Sequence, residues 1–140
     1  ILVFYQKSPV YNPQFTYGKP YNRTHARSGT SPNYGKFERQ SSESSDGRRY
    51  PGNVLFVPTV MGGIHPTQKP VELCEYLIQT YTNEGEVVAD ICAGSGTTAV
   101  AALNTGRRFI CFENAPVFYG PAVERIEQAR LAVAGGGKGV

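Results

Sequence analysis

Residues 90 to 98 read Asp-Ile-Cys-Ala-Gly-Ser-Gly-Thr-Thr, and no other stretch of the chain leaves its backbone so few choices. The apolar run Val87-Val88-Ala89 leads into it, and the small helix formers Ala99-Val100-Ala101-Ala102-Leu103 follow as far as Gly106. That order predicts a strand, a glycine turn and a helix N-terminus. Gly94 and Gly96 carry no Cβ, so the backbone can turn sharply and admit a ligand close to the main chain. The first amides of the helix have no partners within it and point toward that ligand. An ordinary tight turn can show the same glycine spacing, so the neighbours carry weight. With them, the pattern predicts a nucleotide-like cofactor.

Two neighbours matter. Arg107 to Asn114 reads as a second buried strand, with Phe109-Ile110-Cys111-Phe112 as its apolar run. Glu113 closes it, at about the distance past the glycines where α/β folds place a carboxylate for ribose hydroxyls. If the two strands are parallel, the turn and Glu113 share one edge of the sheet. The spacing also bears on cofactor class. Ala99 stands where a dinucleotide fingerprint accepts a third small residue, so NAD is not excluded by spacing. Asp90 decides more, because a carboxylate at the mouth of the turn repels a pyrophosphate and suits an ammonium group. S-adenosylmethionine carries an ammonium and a sulfonium and no phosphate, so the pattern favours a methyl donor.

The segment His65-Pro66-Thr67-Gln68-Lys69-Pro70, a helix, and then Asp90 to Thr98 together resemble the cofactor half of prokaryotic and phage amino-methylating DNA methyltransferases. The order of the motifs resembles the β group, in which cofactor motifs follow the catalytic one. The resemblance runs from Ile1 to about Arg130. It implies that Gly94, Ser95 and Gly96 wrap the methionine portion of the cofactor, with Thr97 also a cofactor-binding residue, that Asp90 holds its ammonium and that Glu113 holds the ribose hydroxyls. His65, Thr67 and Lys69 would close the other side of the pocket, with Cys92 near the adenine, where relatives usually carry an aromatic residue at position 91 or 92. The family's catalytic tetrapeptide, Asp or Ser followed by Pro-Pro and an aromatic residue, does not occur in these residues. Its polar groups take up the amino hydrogens of a flipped base while the aromatic stacks on it.

The residues after Lys69 agree with that reading. Pro70 suits a first helical turn, where its missing N–H costs nothing. Val71, Cys74, Ile78 and Tyr81 then recur at helical spacing, with Leu73 and Leu77 beside them. His65-Pro66-Thr67 must be extended or turned, because residues before proline avoid the helical region.

Charge is unevenly placed. The chain carries +3 overall; residues 1–60 hold 8 Lys and Arg against 3 Asp and Glu, and residues 61–140 hold 6 against 8. The basic half is also the irregular one, rich in Gly, Pro, Ser, Asn and Tyr. Lys19, Arg23, Arg27, Lys36, Arg39, Arg48 and Arg49 are spread along it, with Tyr11, Tyr17, Tyr21, Tyr34 and Tyr50 between them. Cations neutralise phosphates and aromatics stack or pack, so this stretch reads as a nucleic-acid surface, and the resemblance implies double-stranded DNA as the partner. A solvated loop has the same composition. The resemblance implies target recognition here. Gln40 to Gly47 reads as a polar loop tip.

These pieces predict an α/β fold with parallel neighbouring strands and a long basic insertion, and the resemblance implies a partial Rossmann-like S-adenosylmethionine-dependent methyltransferase sheet. The expected parts are a strand over 1–7, the insertion over 8–60, a cofactor-binding α/β part over 61–134 and a flexible tail over 135–140. A closing amphipathic helix is expected over 117–134, with Phe118, Ala122, Val123 and Ile126 facing the sheet. Cys74, Cys92 and Cys111 lack metal-site spacing, so no metal is expected and a reducing cytoplasm, bacterial or phage-infected, fits. No apolar run approaches a membrane span, which needs about 20 residues. The chain opens on Ile1 and its only methionine is Met61, so it reads as the carboxyl-terminal piece of a longer methyltransferase whose upstream part is a partner. Without that part, a central strand edge would lie open and the piece would be marginal and aggregation-prone. The expected function is cofactor binding and DNA recognition for methylation of an exocyclic amino group, adenine N6 ahead of cytosine N4. An inert DNA- or cofactor-binding remnant is the alternative, and a dinucleotide-dependent oxidoreductase domain is a more distant one.

Overall fold

A computed structural model of the chain describes residues 3–24, 29–33, 35–37 and 41–137. The chain divides into two compact units, residues 13–53 and residues 1–12 with 54–140.

The unit over 13–53 is a nested antiparallel ribbon. β1 (Thr16–Tyr17) pairs with β6 (Arg48–Arg49), β2 (Tyr21–Thr24) with β5 (Ser41–Ser44), and β3 (Gly29–Ser31) with β4 (Gly35–Phe37). Each later strand thus returns along an earlier one. The Ser-rich tract expected as a loop tip is instead partly strand: Ser41–Ser44 pairs with Tyr21–Thr24, and only the following residues turn. Its chemistry explains why. The Ser44 hydroxyl donates to the Arg48 carbonyl at 2.7 Å, and an Asp46 oxygen accepts the Arg48 amide at 2.9 Å, so polar side chains close the turn that apolar ones do not. Gly47, at φ 74°, supplies the left-handed residue, and a Cβ there would lie 1.9 Å from the Gly18 carbonyl oxygen.

The other unit carries the packed core. α1 (Val71–Tyr81) leads to β7 (Val87–Asp90), α2 (Thr97–Asn104), β8 (Arg108–Cys111) and α3 (Pro116–Ala134). β7 and β8 are parallel, with Val87 opposite Arg108 and Asp90 opposite Cys111. α2 packs against α1, α3 and β8. Its small side chains allow this: Ala99, Val100, Ala101 and Ala102 are fully buried. Ile78 joins Ala101 and Ala102, with Val71, Cys74, Val88 and Phe109 packed around them. The main chain of Asn12 donates to the Thr80 carbonyl and its side chain to that of Thr82, closing the last turn of α1.

Several sequence expectations need correction. Residues 3–7 of the strand expected over 1–7 form no strand; Phe4 and Tyr5 are exposed, and no ladder partner stands beside them among the described residues. Residues 1 and 2 lie outside the described set. β7 stops at Asp90, because the Asp90 side chain accepts the Cys92 amide at 3.0 Å and turns the chain. β8 is shorter than residues 107–114, although the Phe112 amide still donates to the Asp90 carbonyl. In α3, Ala122 and Ala129 are buried, Phe118 and Ile126 half-buried, and Val123, although 41% exposed, lines a cleft with Phe109 and Cys111 of β8. The buried stripe at 118, 122, 125–126 and 129 has helical spacing, and residue 123 lies at its edge. Gly135 to Gly137 begin the expected tail as an ordered helix end, with the Gly137 amide donating to the Ala132 carbonyl at 2.8 Å and Gly136 at φ 85°. Among the described residues no helix is long and apolar enough to cross a membrane.

Candidate functional site

The parallel register brings Asp90 and Cys111 to the same edge of the sheet, so the turn after β7 and the chain after β8 leave side by side. The turn closes on itself through the Gly96 amide and Ala93 carbonyl at 2.9 Å, with Gly94 at φ 52° and Gly96 at φ 73°. Both values favour glycine, as the spacing required.

Glu113 ties the two exits together. One of its oxygens accepts the Gly94 amide at 2.7 Å, and the other accepts the Ala115 amide at 2.8 Å. Those two amides, that of Ala115 first, hold its carboxyl below the usual range. Both Asp90 oxygens are also bonded: one accepts the Cys92 amide and the other the Thr98 hydroxyl at 2.5 Å. A carboxylate has about four acceptor directions, so each group can still take another donor.

His65 covers the turn from the opposite side. A Cβ on Gly94 would lie 3.4 Å from the His65 ring, and that ring packs against Phe118 at a 56° tilt with centroids 4.2 Å apart. The Thr67 amide donates to its Nδ1 at 3.2 Å, which leaves the proton of the neutral ring on Nε2. Lys69 donates to the Thr67 carbonyl, closing the segment on itself.

These elements enclose a cavity of about 320 Å³ lined by His65, Thr67, Lys69, Asp90, Cys92 and Glu113, among others. Of the ten residues singled out in the sequence, Gly94, Ser95 and Thr97 also line it, and Gly96 does not. Gly96 instead faces Ile126, in a smaller cleft beside α3. The Ser95 and Thr97 side chains are buried and turned toward Arg125, whose Nη1 donates to the Ser95 carbonyl and to the Thr97 hydroxyl, both at 3.0 Å. Beside Glu113 a further cavity of about 420 Å³ is lined by Ile91, Phe112, Asn114 and Tyr119. Sequence reasoning missed Thr98, Phe118 and Arg125. An arginine inside the apolar stripe of α3 was the available signal for the last.

Of the cations singled out for DNA, Lys19, Lys36, Arg48 and Arg49 are exposed. Arg48 lies 4.6 Å from the Phe15 ring, and Arg49 donates to the Lys19 carbonyl at 3.2 Å. Arg23 lies on β2. Arg27, Arg39 and Tyr34 lie outside the described residues.

The family described as DNA methylase, of the N6 and N4 methyltransferases, matches residues 1–124. The chain belongs to this family. Among curated relatives, the type II methyltransferase M2.DpnII of Streptococcus pneumoniae is 45% identical over 65 residues, 46% of this chain and 24% of the relative. The DNA adenine methyltransferase YhdJ of Escherichia coli (strain K12) is 41% identical over 71 residues, 47% of this chain and 24% of the relative. Among solved structures, the cytosine-N4-specific PvuII DNA methyltransferase is similar at 28% identity and a TM-score of 0.49, over 53% of this chain and 31% of that one. The methylase chain thus spans about a quarter of the length of the curated relatives named.

Proposed function

We propose that this methylase chain is the cofactor-binding and DNA-recognition portion of an enzyme that transfers a methyl group from S-adenosylmethionine to an exocyclic amino group of DNA. The observation that carries this is the cavity of about 320 Å³, where Asp90, Glu113 and the glycine turn converge with His65, Thr67 and Lys69.

The chemistry of the lining fits the cofactor. Asp90 keeps acceptor capacity for an ammonium, and its carboxylate at the mouth of the turn disfavours a pyrophosphate. Glu113 stands between this cavity and the one lined by Ile91, Phe112 and Tyr119, so it can accept ribose hydroxyls while those side chains take the adenine. Cavities of these sizes lie in the range of small-molecule sites, about 300–1,000 Å³. When bound, the cofactor supplies an electrophilic methyl on its sulfonium. The residues of this chain orient it and exclude water on the His65 side.

The base amino group needs acceptors and a stacking surface that these 140 residues do not supply as an Asp/Ser-Pro-Pro-aromatic sequence. We assign that role to an upstream part of the same protein. We assign adenine N6 as the favoured target, which the likeness to an adenine methyltransferase supports. Residues 61–134 form the cofactor part and residues 8–60 the DNA-facing part, with Lys19, Arg23, Arg27, Lys36, Arg39, Arg48 and Arg49 as phosphate contacts. The working compartment is the cytoplasm.

Calorimetric titration with S-adenosylmethionine, beside NAD, tests the reading. The chain should bind the methyl donor and not NAD, and Asp90→Asn, which keeps the shape and removes the charge, should weaken binding at least about tenfold. Binding of NAD alone would replace the methyl-donor reading with an oxidoreductase one.

A further inference from the structure

The glycine turn is held from behind by α3. Arg125 is half-buried, and its Nη1 reaches three acceptors: the Ser95 carbonyl at 3.0 Å, the Thr97 hydroxyl at 3.0 Å and the Ser95 hydroxyl at 3.4 Å. One nitrogen carries two protons, so the two shorter contacts are the strong ones and the third shares. The Ser95 and Thr97 hydroxyls also lie within 3.2 Å of each other. With 3% and 5% of their surface exposed, these residues have little hydroxyl left to offer a ligand.

The neighbouring residue tightens the same contact. A Cβ on Gly96 would lie 3.0 Å from Ile126 Cδ1 and 3.4 Å from the Ala122 Cβ, so α3 meets the backbone of the turn directly. Ile126 packs from behind, and Arg125 adds a directed, charged donor to a main-chain carbonyl. A planar guanidinium can serve several acceptors in fixed directions, which an ammonium cannot do.

We propose that Arg125 is a positioning residue of the cofactor site: it fixes Ser95 to Thr97 so that the amides of the turn and the Asp90 carboxylate face the methionine end of the methyl donor. This rests on the methyl-donor reading. Arg125 touches no cofactor atom in this role. It acts through the turn, and its loss leaves the lining intact but mobile.

The test uses the whole 140-residue chain with Arg125→Met and Arg125→Lys, read by amide hydrogen exchange and by titration with S-adenosylmethionine. In Arg125→Met the amides of residues 94–98 should exchange at least about tenfold faster, the effect of one lost charged hydrogen bond, while those of α1 keep their protection. Affinity for S-adenosylmethionine should fall by a similar factor, and Arg125→Lys should recover part of both losses. Unchanged exchange in the turn overturns the assignment, and so does an equal acceleration across α1 and α2, which marks a general loss of stability. If Arg125→Met does not fold, Thr97→Val removes one acceptor and should give a smaller acceleration confined to the same residues. Failure of the unsubstituted chain to bind S-adenosylmethionine would count against the cofactor reading, while the exchange measurement would still decide whether Arg125 holds the turn.

Discussion

The two units of this chain are ordered by different physics. In the helical unit, α2 is fully buried from Ala99 to Ala102 and meets neighbours on several sides. In the ribbon over 13–53, strands pair two by two, and the described contacts are polar turns and cations over rings, such as Arg48 on Phe15 and the Phe15–Tyr50 pair at 4.8 Å. Burial makes the first unit intolerant of change in any element. Backbone pairing makes the second sensitive at its turns and permissive at its exposed side chains. On the proposed reading, the cofactor site uses the fixed geometry of the packed unit and the ribbon offers its exposed cations to a polyanion.

The largest expected effect breaks the packed side. Val100→Asp places a charge where no water or partner reaches, and should cost about 3 kcal/mol or more, enough to abolish cooperative melting of the helical unit by circular dichroism. A melt like that of the unsubstituted chain would show that α2 is not the core.

A pair of glycines sharpens the comparison. Gly96→Ala must hold a left-handed conformation and push Ile126, and should cost about 1–2 kcal/mol in the main unfolding transition. Gly47→Ala meets the backbone oxygen of Gly18, which cannot yield as a side chain can, so the β1–β6 pairing should open. Its amide exchange should rise while the main transition hardly moves.

Next comes pH. The Glu113 carboxyl is held below its ordinary value of 4.5 in the folded chain. Its contribution is therefore complete above that value and is lost as pH falls through the lower, folded one. Thermal melting between pH 5 and 3 should show this acid loss in the helical unit, and Glu113→Gln should flatten it. Asp46 is shifted the same way by the Arg48 amide, so the ribbon has its own acid loss, which Glu113→Gln must leave intact.

Thiol chemistry should distinguish two neighbours at one sheet edge. Burial pushes the Cys111 thiol up to about 11, whereas Cys92 is exposed. Alkylation at pH 8 followed by mass spectrometry should label Cys92 first, and faster labelling of Cys111 would mean that the edge opens.

The smallest stability effect belongs to the ribbon surface. Arg49→Ala should leave melting unchanged within about 0.5 kcal/mol and lower the salt dependence of DNA binding by about one phosphate contact. A large loss of stability there would erase the distinction between the units.

Much of the candidate site's geometry was legible because its constraints are local. A strand, two glycines in the left-handed region and a helix start leave few alternatives, and Glu113 follows from the length of one helix and one strand. The first strand was misread because Ile1 to Lys7 has a strand-like composition but its described residues have no pairing partner. The Ser-rich tract was misread in the opposite sense, since its strand depends on a partner about twenty residues away.

The local sequence determined the turn after β7, the helix after Pro70 and the carboxylates at the sheet edge, because backbone sterics and helical spacing act over a few residues. Only the tertiary structure decided that the Ser95 carbonyl and the Thr97 hydroxyl bond Arg125 and that Glu113 holds the Gly94 amide. Those outcomes depend on which side chains meet across 19 to 30 residues of chain, and packing settles such meetings.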